Sequence, residues 1–388
     1  MHGPSKPDAP RGTPPGGAAP GWPAADWPRT TPGAAGLDAA PLAALDAAFA
    51  AGKVPLVDDF VVVRGGAIAF ERHYTHDYAA LYYKEAHERG PLNARLTGPY
   101  NYFDPASHPY YQGSKAHTMQ SVSKSVTSAT IGVAIARGDF RAGLDTPALH
   151  WFDEPQVGNV DARKRRMTLR HVLTMTTGLD WNEDVPYDDP RNGASRMEAS
   201  EDWVRFVIDQ PMTGEPGSTF AYSSGATELL AHIFRKETGQ DLERYAAAHL
   251  FGPLGITHHH WKRTPLGEVD TQGGLYLASG DLARIGYLYL RDGVWNGERL
   301  LSTDWIRDSV SPHADAGGGW RYGYQWWLLP YDDGRRYAWT AIGIGGQHLF
   351  VMPADDLVVV VTAWHILDPT RYAATLLQAI RPAARAAG

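Results

Sequence analysis

The strand-like segments of this chain stand at its two ends, and most of what lies between them reads as helix or loop. Near the start, residues 60–63, the turn Arg64-Gly65-Gly66 and residues 67–71 form a strand, a tight turn and a second strand. Near the end, residues 322–329, 337–342, 348–352 and 357–364 read as antiparallel strands. Asp332-Asp333-Gly334 and Pro353-Ala354-Asp355-Asp356 supply turns between some of them. From about 141 to 290 the pattern is helical, with candidates at 169–175, 200–209, 226–238, 242–250 and 279–291. Strands so far apart in sequence share a sheet only if the two chain ends meet. The expected class is therefore α/β in the α+β sense: one antiparallel sheet built from both ends, flanked by helices, with a mainly helical lobe inserted. A cleft between the lobes is the natural place for a site.

The first 37 residues have a different character. Pro, Gly and Ala dominate, with a proline every few residues from Pro4 to Pro32. Such a segment buries too little apolar surface to offset its ordering entropy, so 1–37 reads as a mobile or loosely docked arm. Trp22 and Trp27 are its two potential anchors. Residues 38–388 then form the folded domain, starting with a helix that spaces Leu42, Leu45 and Phe49 along one face. Residues 74–118, rich in Tyr, Pro and His with little periodicity, read as a long loop.

Composition narrows the chemistry. Zero Cys among 388 residues removes disulfides, thiolate metal sites and Cys nucleophiles. A net charge of −7 gives no electrostatic reason to expect nucleic acid or an anionic membrane as partner. The most apolar run, 357–364, suits a buried strand and is too short to span a bilayer. No basic-then-apolar segment opens the chain, so a cytoplasmic location is expected, or a periplasmic or secreted one if a leader has been removed. His258-His259-His260 invites a metal reading, but adjacent side chains diverge on any regular backbone. No metal and no cofactor are expected, and a homodimer is left open.

One tetrapeptide carries chemistry. Ser121-Val122-Ser123-Lys124 opens a helical run to Arg137, and residues three apart share a helical face. A hydroxyl and an amine thus meet near the positive end of a helix dipole, a nucleophile beside a potential base. Taken alone, the pattern also fits a helix start with a solvated lysine. Tyr222, carried by the turn Pro216-Gly217-Ser218-Thr219-Phe220, offers a phenol that could pass protons. Gly343-Ile344-Gly345-Gly346-Gln347 offers backbone able to approach a ligand closely. Trp326-Trp327 points to opposite faces of a strand, so one ring at most lines a cleft, and Trp327 is the candidate. No Gly-x-Ser-x-Gly elbow of an α/β-hydrolase occurs.

Several further runs fall in a recognisable order: Leu173-Thr174-Met175-Thr176-Thr177-Gly178-Leu179, Phe220-Ala221-Tyr222-Ser223-Ser224, Gly273-Gly274, Ser279-Gly280-Asp281-Leu282-Ala283-Arg284 and Tyr322-Gly323-Tyr324-Gln325-Trp326-Trp327. With Met119-Gln120-Ser121-Val122-Ser123-Lys124 and the 343–347 run, this set resembles the serine β-lactamase and penicillin-binding-protein superfamily over about residues 40–380. The resemblance is to its class C-like esterase branch, and within that branch to 6-aminohexanoate-dimer (nylon oligomer) hydrolases. It implies a β-lactamase-like fold and a metal-independent serine hydrolase acting on a small ester or amide. Ser121 would be the acylated nucleophile, Lys124 its base and Tyr222 the proton shuttle. The backbone N–H groups of Ser121 and Ile344 would form the oxyanion hole, and Trp327, Gln272, Asp184 and Gly343 would contact substrate. Two departures stand out. Ala341-Ile342-Gly343 occupies the place of the Lys-Thr-Gly strand that holds a β-lactam carboxylate, and Val185 stands where the nylon oligomer hydrolases carry a tyrosine that assists amide cleavage. The first argues against β-lactams and peptide C-termini, and the second favours esters over amides. A sensor or pseudoenzyme with little turnover is the alternative reading.

Overall fold

The computed structural model describes residues 21–385, apart from Pro91, Ala94 and Pro369. Helix α1 (Ala39–Ala50) starts at Asp38, whose side chain accepts a hydrogen bond from the Ala40 N–H and so relieves one of the unpaired donors of the first turn. Strands β1 (Val57–Arg64) and β2 (Ala67–His73) follow as a hairpin. Gly65 and Gly66 both adopt positive φ, 61° and 84°, which a two-residue turn matched to strand twist requires. Strands β3 (Ala314–Gly317), β4 (Trp320–Tyr322), β5 (Trp327–Tyr331), β6 (Arg336–Gly343), β7 (Gln347–Met352) and β8 (Leu357–Ala363) return from the far end of the chain. The eight join in the order β2-β1-β8-β7-β6-β5-β4-β3, each pair antiparallel. The two chain ends meet where β1 pairs with β8, Val61 opposite Val360.

Alternation along these strands divides the core into two layers. Phe60, Val62, Val359 and Val361 turn to one face, where α1 and the closing helix Ala373–Ile380 bring Leu42, Leu45, Phe49, Leu376, Leu377 and Ile380. Val61, Val63, Val358 and Val360 turn to the other face, against helix Ser279–Leu290 and the helical lobe. Val358 to Val361 are each 0–1% exposed, which places their contribution at about 2 kcal/mol per side chain. A strand buried on both faces reads as an unbroken apolar run, as 357–361 does.

Within the lobe, helices at Leu169–Leu173, Trp203–Ile208, Ser224–Thr238 and Leu242–Ala246 overlap the expected segments, with ends that differ by up to four residues. The helix that follows Ser121, Val122–Arg137, is buried continuously from Val122 to Ala134 between lobe and sheet. Two of its serines find partners there: Ser123 Oγ accepts from the Leu275 N–H at 3.1 Å, and Ser125 Oγ donates to the Gln325 carbonyl at 2.6 Å. Among the described residues no helix is long and apolar enough to cross a membrane.

One loop reading needs revision. Residues 74–118 contain short helices, and their rings (Tyr78, Tyr82, Phe103 and Tyr110) pack with Tyr276 and Trp364 into a separate aromatic cluster. Of the expected arm, residues 1–20 lie outside the described residues, while 21–37 is docked. Trp27 is buried and donates its indole N–H to the Gly280 carbonyl at 2.8 Å, and the Thr30 N–H donates to the Ile68 carbonyl of β2. Arg284, itself buried, donates to the carbonyls of Ala24 and Ala25. Two tryptophans and a buried guanidinium outweigh the entropy of a Pro/Gly-rich segment.

Candidate active site

The residue before Ser121 is held in an unusual backbone conformation. Gln120 has φ 47°, in the left-handed region that non-glycine residues rarely adopt. Met119, whose N–H donates to Leu275 O at 2.8 Å, and the Gln120 Nε2–Thr118 Oγ1 bond of 2.9 Å hold the turn in place. Ser121 follows at the N-cap of the buried helix, yet its hydroxyl caps nothing. Instead it meets Lys124 Nζ at 2.9 Å. Lys124 is 1% exposed and has two further acceptors, Ser224 Oγ at 3.1 Å and the Gln272 carbonyl at 2.8 Å. Burial lowers its pKa from 10.5 to about 8, against the opposing pull of Glu183, Asp270, Glu228 and Glu198.

Tyr222 stands beside Ser121, near enough for that hydroxyl to lower its pKa, and its ring lies 5.2 Å from Lys124 Nζ. Burial raises its pKa above the usual phenol value, Glu183 adds to this, and the Ser121 hydroxyl and Arg371 oppose it. It is therefore a neutral phenol near pH 7 and fit to donate a proton. Trp327 stacks on it at 5.3 Å and 23°, while Trp326 turns into the core against Tyr289.

Gly343 closes the other side. A Cβ there would stand 2.5 Å from the Met119 carbonyl oxygen and 3.0 Å from both Gln120 Cβ and Gln347 Cβ. Only glycine lets the end of β6 lie against the backbone leading to Ser121. Ile344, whose N–H is the candidate second oxyanion donor, is the next residue.

Ser121, Lys124, Tyr222, Trp327, Gln272 and Gly343 thus gather around one point, with Ile344 alongside. Asp184 does not join them. Its side chain is exposed, and its N–H donates to Asn182 Oδ1 in a local turn. The adjacent Glu183 turns inward instead, accepting from Ser224 Oγ at 2.8 Å, from the Ser224 N–H and from Trp181 Nε1 at 2.6 Å. Sequence reasoning also missed the charges behind Gln272. Gln272 Nε2 donates to Glu198 at 3.1 Å, and Tyr102 donates to the same oxygen at 2.8 Å. Desolvation, with Asp270 adding, pushes Glu198 up to about 7, while Lys262, Tyr102 and Gln272 oppose. Lys262 and Asp270 form a fully buried pair at 3.8 Å. Tyr187 was overlooked as well. It packs with Ile344 on the aromatic cluster, close enough to Glu183 and Tyr222 for both to raise its pKa, though burial is the larger cause. Among the described residues no three His, Asp or Glu side chains form a group that could hold a metal.

A hydroxyl, a buried amine and a neutral phenol thus meet between an inserted helical lobe and an antiparallel sheet. The family model described as beta-lactamase matches residues 58–384, and the chain belongs to that family. It is similar to the 6-aminohexanoate-dimer hydrolase of Paenarthrobacter ureafaciens, 27% identical over 64% of this chain and 66% of the relative. It is also similar to esterase EstB of Burkholderia gladioli, 29% identical over 36% of each chain. The matched stretches thus span just under two thirds of the first relative and about a third of the second. Among solved structures, EstCE1, a hydrolase with promiscuous acyltransferase activity, superposes with a TM-score of 0.64 at 15% identity, covering 88% of this chain and 97% of that one. At that identity the likeness speaks for the fold alone.

Proposed function

We propose that this protein is a serine hydrolase that cleaves carboxylic esters through an acyl-Ser121 intermediate. The observation that carries this reading is the buried Lys124 amine 2.9 Å from the Ser121 hydroxyl. Ser121 Oγ attacks the ester carbonyl carbon and its proton passes to neutral Lys124. The oxyanion so formed is held by the N–H groups of Ser121 and Ile344. Collapse breaks the bond to the leaving oxygen, which takes the Tyr222 proton, and Lys124 returns a proton to Tyr222. Water repeats the sequence in reverse to free the acid.

Chemistry at the cleft narrows the substrate. Ala341 and Ile342 of β6 offer neither cation nor hydroxyl to a substrate carboxylate, so neutral esters fit better than β-lactams. A second reading, as an amidase, is favoured by one observation: Tyr187 brings a phenol toward Tyr222 from two residues beyond Val185. The name of the Paenarthrobacter relative also supports it.

The rate should follow the charge on Lys124. With a pKa of about 8, the amine is mostly protonated at pH 6 and becomes competent as the proton leaves. Thus kcat/KM for a p-nitrophenyl ester should rise about tenfold per pH unit below that value and level off above it. The matching p-nitroanilide and 6-aminohexanoate dimer should turn over more slowly, and nitrocefin slowest. Amide turnover equal to ester turnover would favour the second reading. A rate that falls as pH rises from 6 to 9 would rule out Lys124 as base.

A further inference from the structure

Hydrogen-bond accounting around Lys124 reaches beyond the three reacting groups. A neutral amine has two N–H donors and one lone pair, and three oxygens surround this one: Ser121 Oγ, Ser224 Oγ and the Gln272 carbonyl. The carbonyl can only accept. A serine hydroxyl can usually do either, but the single proton of Ser224 is committed to Glu183 Oε1 at 2.8 Å. The Glu183 carboxylate is acceptor-only, so this direction is fixed. Ser224 is left as an acceptor toward Lys124. Both amine protons are therefore spent on Ser224 and Gln272, and the lone pair faces Ser121.

We propose that Glu183 is a positioning residue for the reaction, acting through Ser224 to aim the free Lys124 amine at the Ser121 hydroxyl. The inference rests on the acyl-serine reading above. Glu183 is itself well held, since its second oxygen accepts from the Ser224 N–H, at the start of helix Ser224–Thr238, and from the Trp181 indole.

Glu183→Gln keeps the shape and reverses one bond. The amide oxygen must serve the Ser224 N–H and Trp181, which turns the amide NH₂ toward Ser224 Oγ. Ser224 then accepts from that NH₂ and gives its own proton to Lys124, filling the lone pair that should face Ser121. The experiment is a stopped-flow acylation burst with p-nitrophenyl acetate on wild type, Glu183→Gln, Ser224→Ala and the double variant, with Ser121→Ala as the blank. Glu183→Gln should slow acylation by about 10²-fold with little change in KM. The double variant should be no slower than Ser224→Ala alone, because the two residues act in series. The pH limb should also move down in Glu183→Gln. Glu183 is the carboxylate that most raises Lys124, whereas Asp270, Glu228 and Glu198 stay in place. Losses that multiply in the double variant, or an unchanged rate and pH limb in Glu183→Gln, would overturn the role. Should Glu183→Gln not fold, Ser224→Ala alone decides: undiminished acylation refutes the relay and a slowed burst with unchanged KM upholds it. A wild type with neither burst nor steady turnover above the Ser121→Ala blank would overturn the acyl-serine reading and this inference with it.

Discussion

Lys124→Met is expected to reduce ester turnover by about 10³-fold, because the buried amine beside Ser121 is then gone. Its effect on stability should depend on pH in a way that few substitutions do. In wild type the folded pKa of Lys124 is lowered from 10.5 to about 8, so the unfolded chain holds the proton more tightly. Stability then rises with pH between about 8 and 10.5, and the charged amine costs the fold roughly 3 kcal/mol below that window. Methionine has a similar length and no charge, so Lys124→Met should lack that rise. It also leaves the Gln272 carbonyl and Ser224 Oγ short of a donor, which offsets part of the gain near neutrality. Urea unfolding of both proteins at pH 7 and pH 10 checks this. Wild type should gain on the variant as pH rises, and parallel behaviour would mean that Lys124 is not held near 8.

Gly343→Ala is the second substitution with a large expected effect, and it touches no reacting atom. The added methyl would sit 2.5 Å from the Met119 carbonyl oxygen, a backbone atom that cannot swing aside. Either the end of β6 or the turn at Gln120 must shift, carrying the Ile344 N–H or Ser121 with it. A misplaced oxyanion donor gives a loss of about 10²–10³ in kcat. Burst kinetics should show slow acylation with substrate binding little changed. Undiminished kcat would show that the β6 end has no part in holding the oxyanion.

How far these features were legible in the sequence follows from the kind of information each needs. Strands β1, β7 and β8 announce themselves because buried apolar runs, valine-rich in β1 and β8, are bounded by residues that favour turns, Gly65-Gly66 and Pro353-Ala354-Asp355-Asp356. Ser121 and Lys124 are legible because three residues make about one helical turn, so sequence spacing is spatial spacing. Tyr222 is legible only through the order of motifs. The inward carboxylate was not. Glu183 and Asp184 are neighbours in an irregular loop, and which one turns in is decided by Ser224 and Trp181, the first of them 41 residues along. Glu198, Lys262 and Asp270 were hidden for the same reason, since a charge looks solvated in sequence until distant segments enclose it. The stretch 21–37 was legible in part: its composition says nothing of where it docks, but Trp22 and Trp27 stand out as anchors, and both rings pack on the domain.

The central claim is that Ser121 is acylated, and trapping the intermediate tests it most directly. Wild type mixed with a slowly deacylating p-nitrophenyl ester, quenched in acid and digested, should carry the acyl mass on the peptide containing Ser121 and release one equivalent of p-nitrophenol in the burst. Ser121→Ala, folded and tested alongside, should show neither. An acyl group found on another residue, or a full burst from Ser121→Ala, would contradict the account.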